Sequence, residues 1–272
     1  MDLDLIDIVV RVLVGGGLGF IIGLAAVGGG VLGVPVLAVG FGLPASVAVG
    51  TASLYSLITK SYAAVLHYRQ KTVDMKMTWL LLIGALPGAI LTSWFVSRFA
   101  ATNSGETLAR FQHRLTLVIV VVMIVTFVLM MVSMRRKLVG GSVSQATLTP
   151  ARRGLCVLLG LLVGAVIAAT SIGAGVFMIP ALILGFGLQP SRTVGTSIMV
   201  STVLTLATTL MYGGYGQLDI PTALFMSIGS LVGAPLGGKL TKKLPERRLQ
   251  TIIVGVIVVA ITVMIIRLAT AA

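Results

Sequence analysis

Apolar residues run along this chain in long blocks, separated by short polar or glycine-rich interruptions. Taken in order, the blocks predict helix a over about 5–27, a short helix b over about 31–42, helix c over about 45–66, helix d over about 77–97 and helix e over about 114–134. The same five segments return over about 155–172, 176–187, 191–212, 222–240 and 249–268. At 1.5 Å per residue a 22-residue helix covers about 33 Å and crosses the hydrocarbon core, whereas a 12-residue one covers about 18 Å and does not. Helix b is therefore predicted to be a half-helix or re-entrant segment, set off by the glycine-rich break at Gly28-Gly29-Gly30 or at Gly173-Ala174-Gly175.

The two series are copies of one unit. Shifted by 145 residues, positions 15–99 align with 160–244 without a gap, and roughly a quarter of the aligned positions are identical. Gly40-Phe41-Gly42-Leu43 recurs as Gly185-Phe186-Gly187-Leu188, Val49-Gly50-Thr51 as Val194-Gly195-Thr196, Pro35 as Pro180 and Asp74 as Asp219. Shared hydrophobicity alone does not keep Gly, Pro, Thr and Asp in register. The chain divides into a first membrane repeat (1–134), a basic linker (135–153) and a second membrane repeat (154–272).

Loop charge predicts how the copies are oriented. Loop c/d of the first copy carries Arg69, Lys71 and Lys76, but its counterpart from Tyr212 to Pro221 has no basic residue. Loop d/e shows the reverse bias, with Lys239, Lys242, Lys243, Arg247 and Arg248 in the second copy against Arg98, Arg110 and Arg114 in the first. Under the positive-inside rule the first c/d loop, the linker and the second d/e loop face the cytoplasm, and the acidic N-terminus faces out. The expected fold is an all-α integral membrane protein: two inverted-topology repeats of about five helical segments, each with a short broken helix.

Composition narrows the function. Apolar residues make up 57% of the chain and charged residues 10%, with a mean hydropathy of +1.10. That is too few charges to cover a water-soluble globule, which carries about 25%. The net charge of +13 lies between apolar blocks, where it meets cytoplasmic lipid headgroups rather than nucleic acid. One cysteine, Cys156, excludes an intrachain disulfide and a cysteine-rich metal site. Acids begin the chain where a secretory signal would carry bases, so the first apolar block is expected to stay as helix a. One Cys and two His leave no nucleophile–base pair or metal cluster for an embedded enzyme, and no cofactor is implied.

Inverted repeats with interrupted helices are a recurring transporter plan, with substrate held between the copies. A triple glycine inside a membrane segment leaves backbone groups that only a cavity or protein can satisfy. Gly28, Gly29, Gly30, Gly173 and Gly175 are therefore candidate substrate-lining positions. The N–H groups opening helix b, near Val31 and Val176, and helix c, near Ser46 and Ser191, offer dipole ends to an anion. Thr51 and Ser53 in helix c, Thr196 and Ser197 in its copy, and Ser171 before the second break supply hydroxyl donors, although such hydroxyls also bond back to the preceding turn. Single glycines such as Gly84, Gly88, Gly229 and Gly233 read as close helix contacts. No carboxylate falls in the middle of a predicted span, which disfavours a cation site. Asp74 and Asp219 read as caps of helix d, and Trp79 and Trp94 as interfacial anchors. Lys60, inside helix c, either snorkels to the headgroups or faces the cavity as an anion-attracting charge; Arg192 is either a surface residue or a gate charge.

The repeated motifs also carry a resemblance. Gly28-Gly29-Gly30 with Pro35 and Val49-Gly50-Thr51-Ala52-Ser53, followed by Gly173 to Pro180 and Arg192-Thr193-Val194-Gly195-Thr196-Ser197, resemble the sulfite exporter TauE/SafE family over roughly 10–268. Ala52 stands where the second copy has Ser197, so one hydroxyl of the motif is absent from the first copy. The resemblance implies a bacterial inner-membrane transporter of sulfite or a related small organosulfonate; the inverted copies predict export by alternating access as they rock about the breaks, with membrane lipids as surroundings and a homodimer allowed. An anion channel with the same donors is the alternative.

Overall fold

The computed structural model describes residues 4–25, 30–135, 149–172, 174–241 and 246–270. Among them every regular element is a helix. The first copy folds as α1 (Leu5–Ala25), the short α2 (Gly30–Pro35) with a π-helical turn at Val36–Gly40, α3 (Ala45–Arg69), α4 (Met75–Thr102) and α5 (Gly105–Arg135). The second follows as α6 (Pro150–Thr170), the short α7 (Ala174–Pro180) with its π turn at Ala181–Gly185, α8 (Pro190–Gly214), α9 (Ile220–Thr241) and α10 (Glu246–Thr270). Helices α1, α4, α5, α6, α8 and α9 are long and apolar enough to cross a membrane. The first residues of α1 and α6, α3 and α8, and α4 and α9 each stand 145 apart, so the duplication extends to element boundaries.

The half-helices owe their shape to proline and glycine. Pro35 and Pro180 have no N–H to give, and directly after each the helix widens into its π turn. Gly42 and Gly187 then take φ +67° and reverse the chain, while Leu43 N bonds Leu37 O and Leu188 N bonds Leu182 O. The start of α5 departs from expectation. Helix e was expected from about 114, yet α5 begins at Gly105, and Asn103 and Ser104 are all that separates it from α4. The polar run helps to hold its own first turns: Glu106 and Arg110 pair across one turn at 3.5 Å, and Phe111 lies 4.4 Å from Phe99 of α4.

Glycines set how the copies meet. Gly15, Gly19 and Gly23 of α1 lie against Met226, Ser230 and Ala234 of α9, and Gly229 and Gly233 of α9 lie against Val12 and Gly16 of α1. Residue numbers rise together, so α1 and α9 are parallel. The same contact recurs between α4 and α6: Gly160 and Gly164 meet Leu81 and Ala85, and Gly84 and Gly88 meet Val157 and Leu161. Helix a of each copy is thus seated on helix d of the other, backbone to backbone, as small residues permit in a membrane. The single glycines are close contacts, as expected. Between α3 and α8 the direction reverses, for Gly50 lies against Tyr212 and Gln217 whereas Gly195 lies against Thr72.

Candidate functional site

Two polar clusters occupy opposite ends of the α3/α8 pair. At the first, Asp219 caps α9 by accepting from Thr222 N (3.1 Å) and from the Thr222 hydroxyl (2.6 Å). Its own backbone N–H donates to Thr51 Oγ1 at 2.9 Å. Arg11, from the second turn of α1, donates to Thr222 Oγ1 and stands 3.7 Å from the Asp219 carboxylate, with its guanidinium 5.5 Å from the Phe41 ring. Beside it, Gln112 of α5 closes over the start of α3. Ser46 N donates to Gln112 Oε1 (3.0 Å), Gln112 Nε2 to Ser46 Oγ (2.7 Å), and Ser46 Oγ to Gln217 Oε1 (2.7 Å). The Ser46 N–H expected to face an anion is held by Gln112.

The second cluster repeats the brace with the copies exchanged. Asp74 caps α4, accepting from Met77 N at 3.1 Å, and Asp74 N donates to Thr196 Oγ1 at 2.9 Å. Both aspartates are caps, as the sequence predicts. Arg192 stands 3.9 Å from the Asp74 carboxylate, but it is half exposed and sits on α8 rather than on α6. The position matching Arg11 is Cys156, buried in α6. Thr51 and Thr196 are both fully buried, and each accepts a backbone N–H while retaining its own hydroxyl proton to donate. They lie at opposite ends and do not converge on one point.

Between these ends the hydroxyls behave differently in the two copies. Ser53 donates to Val49 O at 2.9 Å and also lies 3.3 Å from Ser171 Oγ, which joins α3 to the second break. Ser171 itself takes a left-handed conformation (φ +55°) that ends α6. The residue matching Ser53 is Ile198, with no hydroxyl. Tyr55 donates to Ser230 at 3.0 Å and Tyr212 to Ala168 O at 3.1 Å, where the matching pairs hold no tyrosine. Ser197 is buried. Gly30 opens α2; a methyl on Gly175, in the first turn of α7, would meet only the tip of Ile179, at 3.8 Å. Gly28, Gly29 and Gly173 lie outside the described residues. Lys60 is half-buried within α3. Trp79 and Trp94 are exposed on the outside of α4, with Arg98 over the Trp94 ring. Among the described residues no three His, Cys, Asp or Glu gather as a metal-ligand set.

Sequence reasoning missed Arg11, Gln112, Gln217 and the buried Tyr212. Arg11 had a signal: an arginine inside an apolar block is costly unless it faces the interior with a partner. Gln112 and Gln217 had none, since nothing local marks a glutamine that will meet a serine from a distant helix.

A family model described as Sulfite exporter TauE/SafE matches residues 11–264. The chain is 32% identical over 251 residues to a Bacillus subtilis (strain 168) protein described as "Probable membrane transporter protein YjnA", covering 92% of this chain and 96% of that one. It is 26% identical over 236 residues to "Probable membrane transporter protein YdhB" of the same organism, covering 87% and 91%. A shorter match of 107 residues at 29% identity joins it to a "Probable membrane transporter protein" of Xylella fastidiosa (strain 9a5c), covering 39% and 41%. No solved structure matches.

Proposed function

This chain belongs to the sulfite exporter TauE/SafE family of membrane proteins, and from that premise we propose that it exports sulfite or a related small organosulfonate across the bacterial inner membrane by alternating access. The anion is bound between two inverted copies, with the N-terminus on the outer side. The observation that carries this reading is the reversed run of α3 against α8, with a threonine–aspartate brace at each end of the pair. Equivalent helices running oppositely are what an inverted repeat requires. Each brace joins α3 or α8 of one copy to the start of helix d of the other. Rocking of the copies can therefore release one end while the other stays closed.

Within this scheme the anion meets Thr51 on one side and Thr196 on the other, each still holding a proton to donate. Ser53, Ser171 and Ser197 line the way with the glycine breaks at Gly28, Gly29, Gly30, Gly173 and Gly175. Lys60 supplies charge and Arg192 guards the Asp74 end. Three oxygens on a compact sulfur suit hydroxyl donors met in turn along this path, which cost less to bury than a second full charge.

The test is counterflow in liposomes loaded with unlabelled sulfite, with sulfate, thiosulfate, sulfoacetate and chloride as competitors. Uphill accumulation of labelled sulfite is expected. Thr51→Val and Thr196→Val should slow it about 10-fold or more, as the loss of a hydrogen bond to a charged group would, while Thr116→Val and Thr262→Val leave it near wild type. Equal losses at all four positions would remove the proposed path. Large single-channel currents without counterflow would replace the carrier by a channel.

A further inference from the structure

We infer that the anion's central resting place is the crossing of α3 and α8, with Lys60 as counter-charge and the hydroxyls of Ser56 and Thr209 as its donors. This rests on the transport reading above and specifies where within it the substrate sits. The first observation is a cation without a counter-ion. Lys60 lies past the midpoint of α3 and carries neither an ion pair nor a hydrogen bond among the described residues. The described acids, Asp4, Asp7, Asp74, Glu106, Asp219 and Glu246, all fall at helix ends.

Lys60 also faces inward. The lipid side of this part of α3 is marked by Tyr62, Val65 and Leu66, which are 73%, 51% and 41% exposed. At about 100° per residue each is about 120° or more around the helix from Lys60. A lysine on the lipid side could snorkel to the headgroups, but one on the inner side near mid-helix needs an anion or water.

The second observation is a pair of buried hydroxyls with no partner. Ser56 is one turn before Lys60 on the same side of α3, and Thr209 lies on α8; neither hydroxyl oxygen makes a hydrogen bond among the described residues. Buried hydroxyls normally find one. The reversed register brings them level. Gly50 lies by Tyr212 and Gln217, and Gly195 by Thr72, so Ser56 falls opposite about residue 209 and Lys60 opposite about residue 205. An unpaired cation and two idle hydroxyls at one level of the helix crossing call for the same missing group, a small anion with several oxygens. Ser56 recurs as Ser201, whereas Lys60 is matched by Thr205 and Thr209 by Ala64, so the crossing holds one charge rather than two.

The experiment measures equilibrium binding of sulfite and of sulfoacetate to the purified full chain in detergent, alongside liposome counterflow. Lys60→Met should weaken binding by about 100-fold or more, Lys60→Arg should restore part of it, and Ser56→Ala and Thr209→Val should each cost roughly 10-fold. Thr262→Val serves as the unaffected control. Lys60→Met or both hydroxyl variants binding like wild type overturns the inference, even if the wild type transports. A Lys60-dependent site that takes only phosphate or chloride supports the inference and overturns the sulfite reading. Should Lys60→Met fail to fold, Ser56→Ala, which removes one oxygen and no charge, decides alone.

Discussion

Adding one methyl group to the paired glycine contacts tests the way the two copies are joined. In Gly229→Ala the new Cβ would overlap Val12 O and stand 2.6 Å from Gly16 N; in Gly84→Ala it would overlap Val157 O and stand 3.0 Å from Leu161 N. These neighbours are backbone atoms of another helix and have no rotamer to change, so relief requires the helices to part by about 1 Å. Overpacking of this kind costs about 1–3 kcal/mol, and with rigid walls on both sides the upper end applies. Alanine's better helix propensity returns about 1 kcal/mol, which leaves a net loss of about 2 kcal/mol. A methyl on Gly17, in the same helix α1, or on Gly154 of α6 meets nothing within 4 Å; there the propensity gain stands alone. The assay is thermal melting in detergent, read as the monodisperse fraction left after heating. Gly229→Ala and Gly84→Ala should melt several degrees below wild type and close to each other, because they disturb the same contact in the two copies. Gly17→Ala should melt at or above wild type. If Gly229→Ala melts with Gly17→Ala, the helices do not touch backbone to backbone and the derived arrangement of the copies is wrong.

The two arginine–aspartate pairs should respond unequally. Arg11 and Asp219 have side chains only 9% and 19% exposed, so Asp219→Asn, which leaves the arginine charge uncompensated, should lower stability in the same melt by about 2 kcal/mol. Arg192 is 47% exposed beside Asp74, and Arg192→Gln should stay within about 1 kcal/mol of wild type. Cys156 is buried in α6, so maleimide labelling of the native protein should be slow and should rise only with unfolding; rapid labelling at low temperature would contradict its position.

Much of the helix layout was legible because two signals reinforced each other. Apolar blocks located the segments, and the repeat checked each against its copy, so α3 and α8 begin within a residue of expectation. Asp74 and Asp219 were legible as caps because their role is local. Partners across the copies were not. That Thr51 would meet Asp219, or that Gln112 would close over Ser46, depends on which helices are neighbours, and the order of apolar blocks is silent on that. The beginning of α5 was misjudged because its first turns are polar and their contact with α4, through Phe99 and Phe111, is tertiary. Arg11 was legible by rule and overlooked, since its counterpart Cys156 broke the repeat at that position.

The mismatched bonds between the copies carry a consequence for direction. A carrier assembled from identical halves would rest equally often open to either side, because each orientation would be the other turned over. Here Ser53–Ser171 and Tyr55–Ser230 have no counterpart, because the matching Ile198 and Val200 carry no hydroxyl. Every such bond made in one orientation and lost in the other tilts the balance by about 1 kcal/mol, roughly fivefold in occupancy. On the proposed alternating-access reading, divergence between the copies gives the idle protein a preferred side to wait on before any gradient acts.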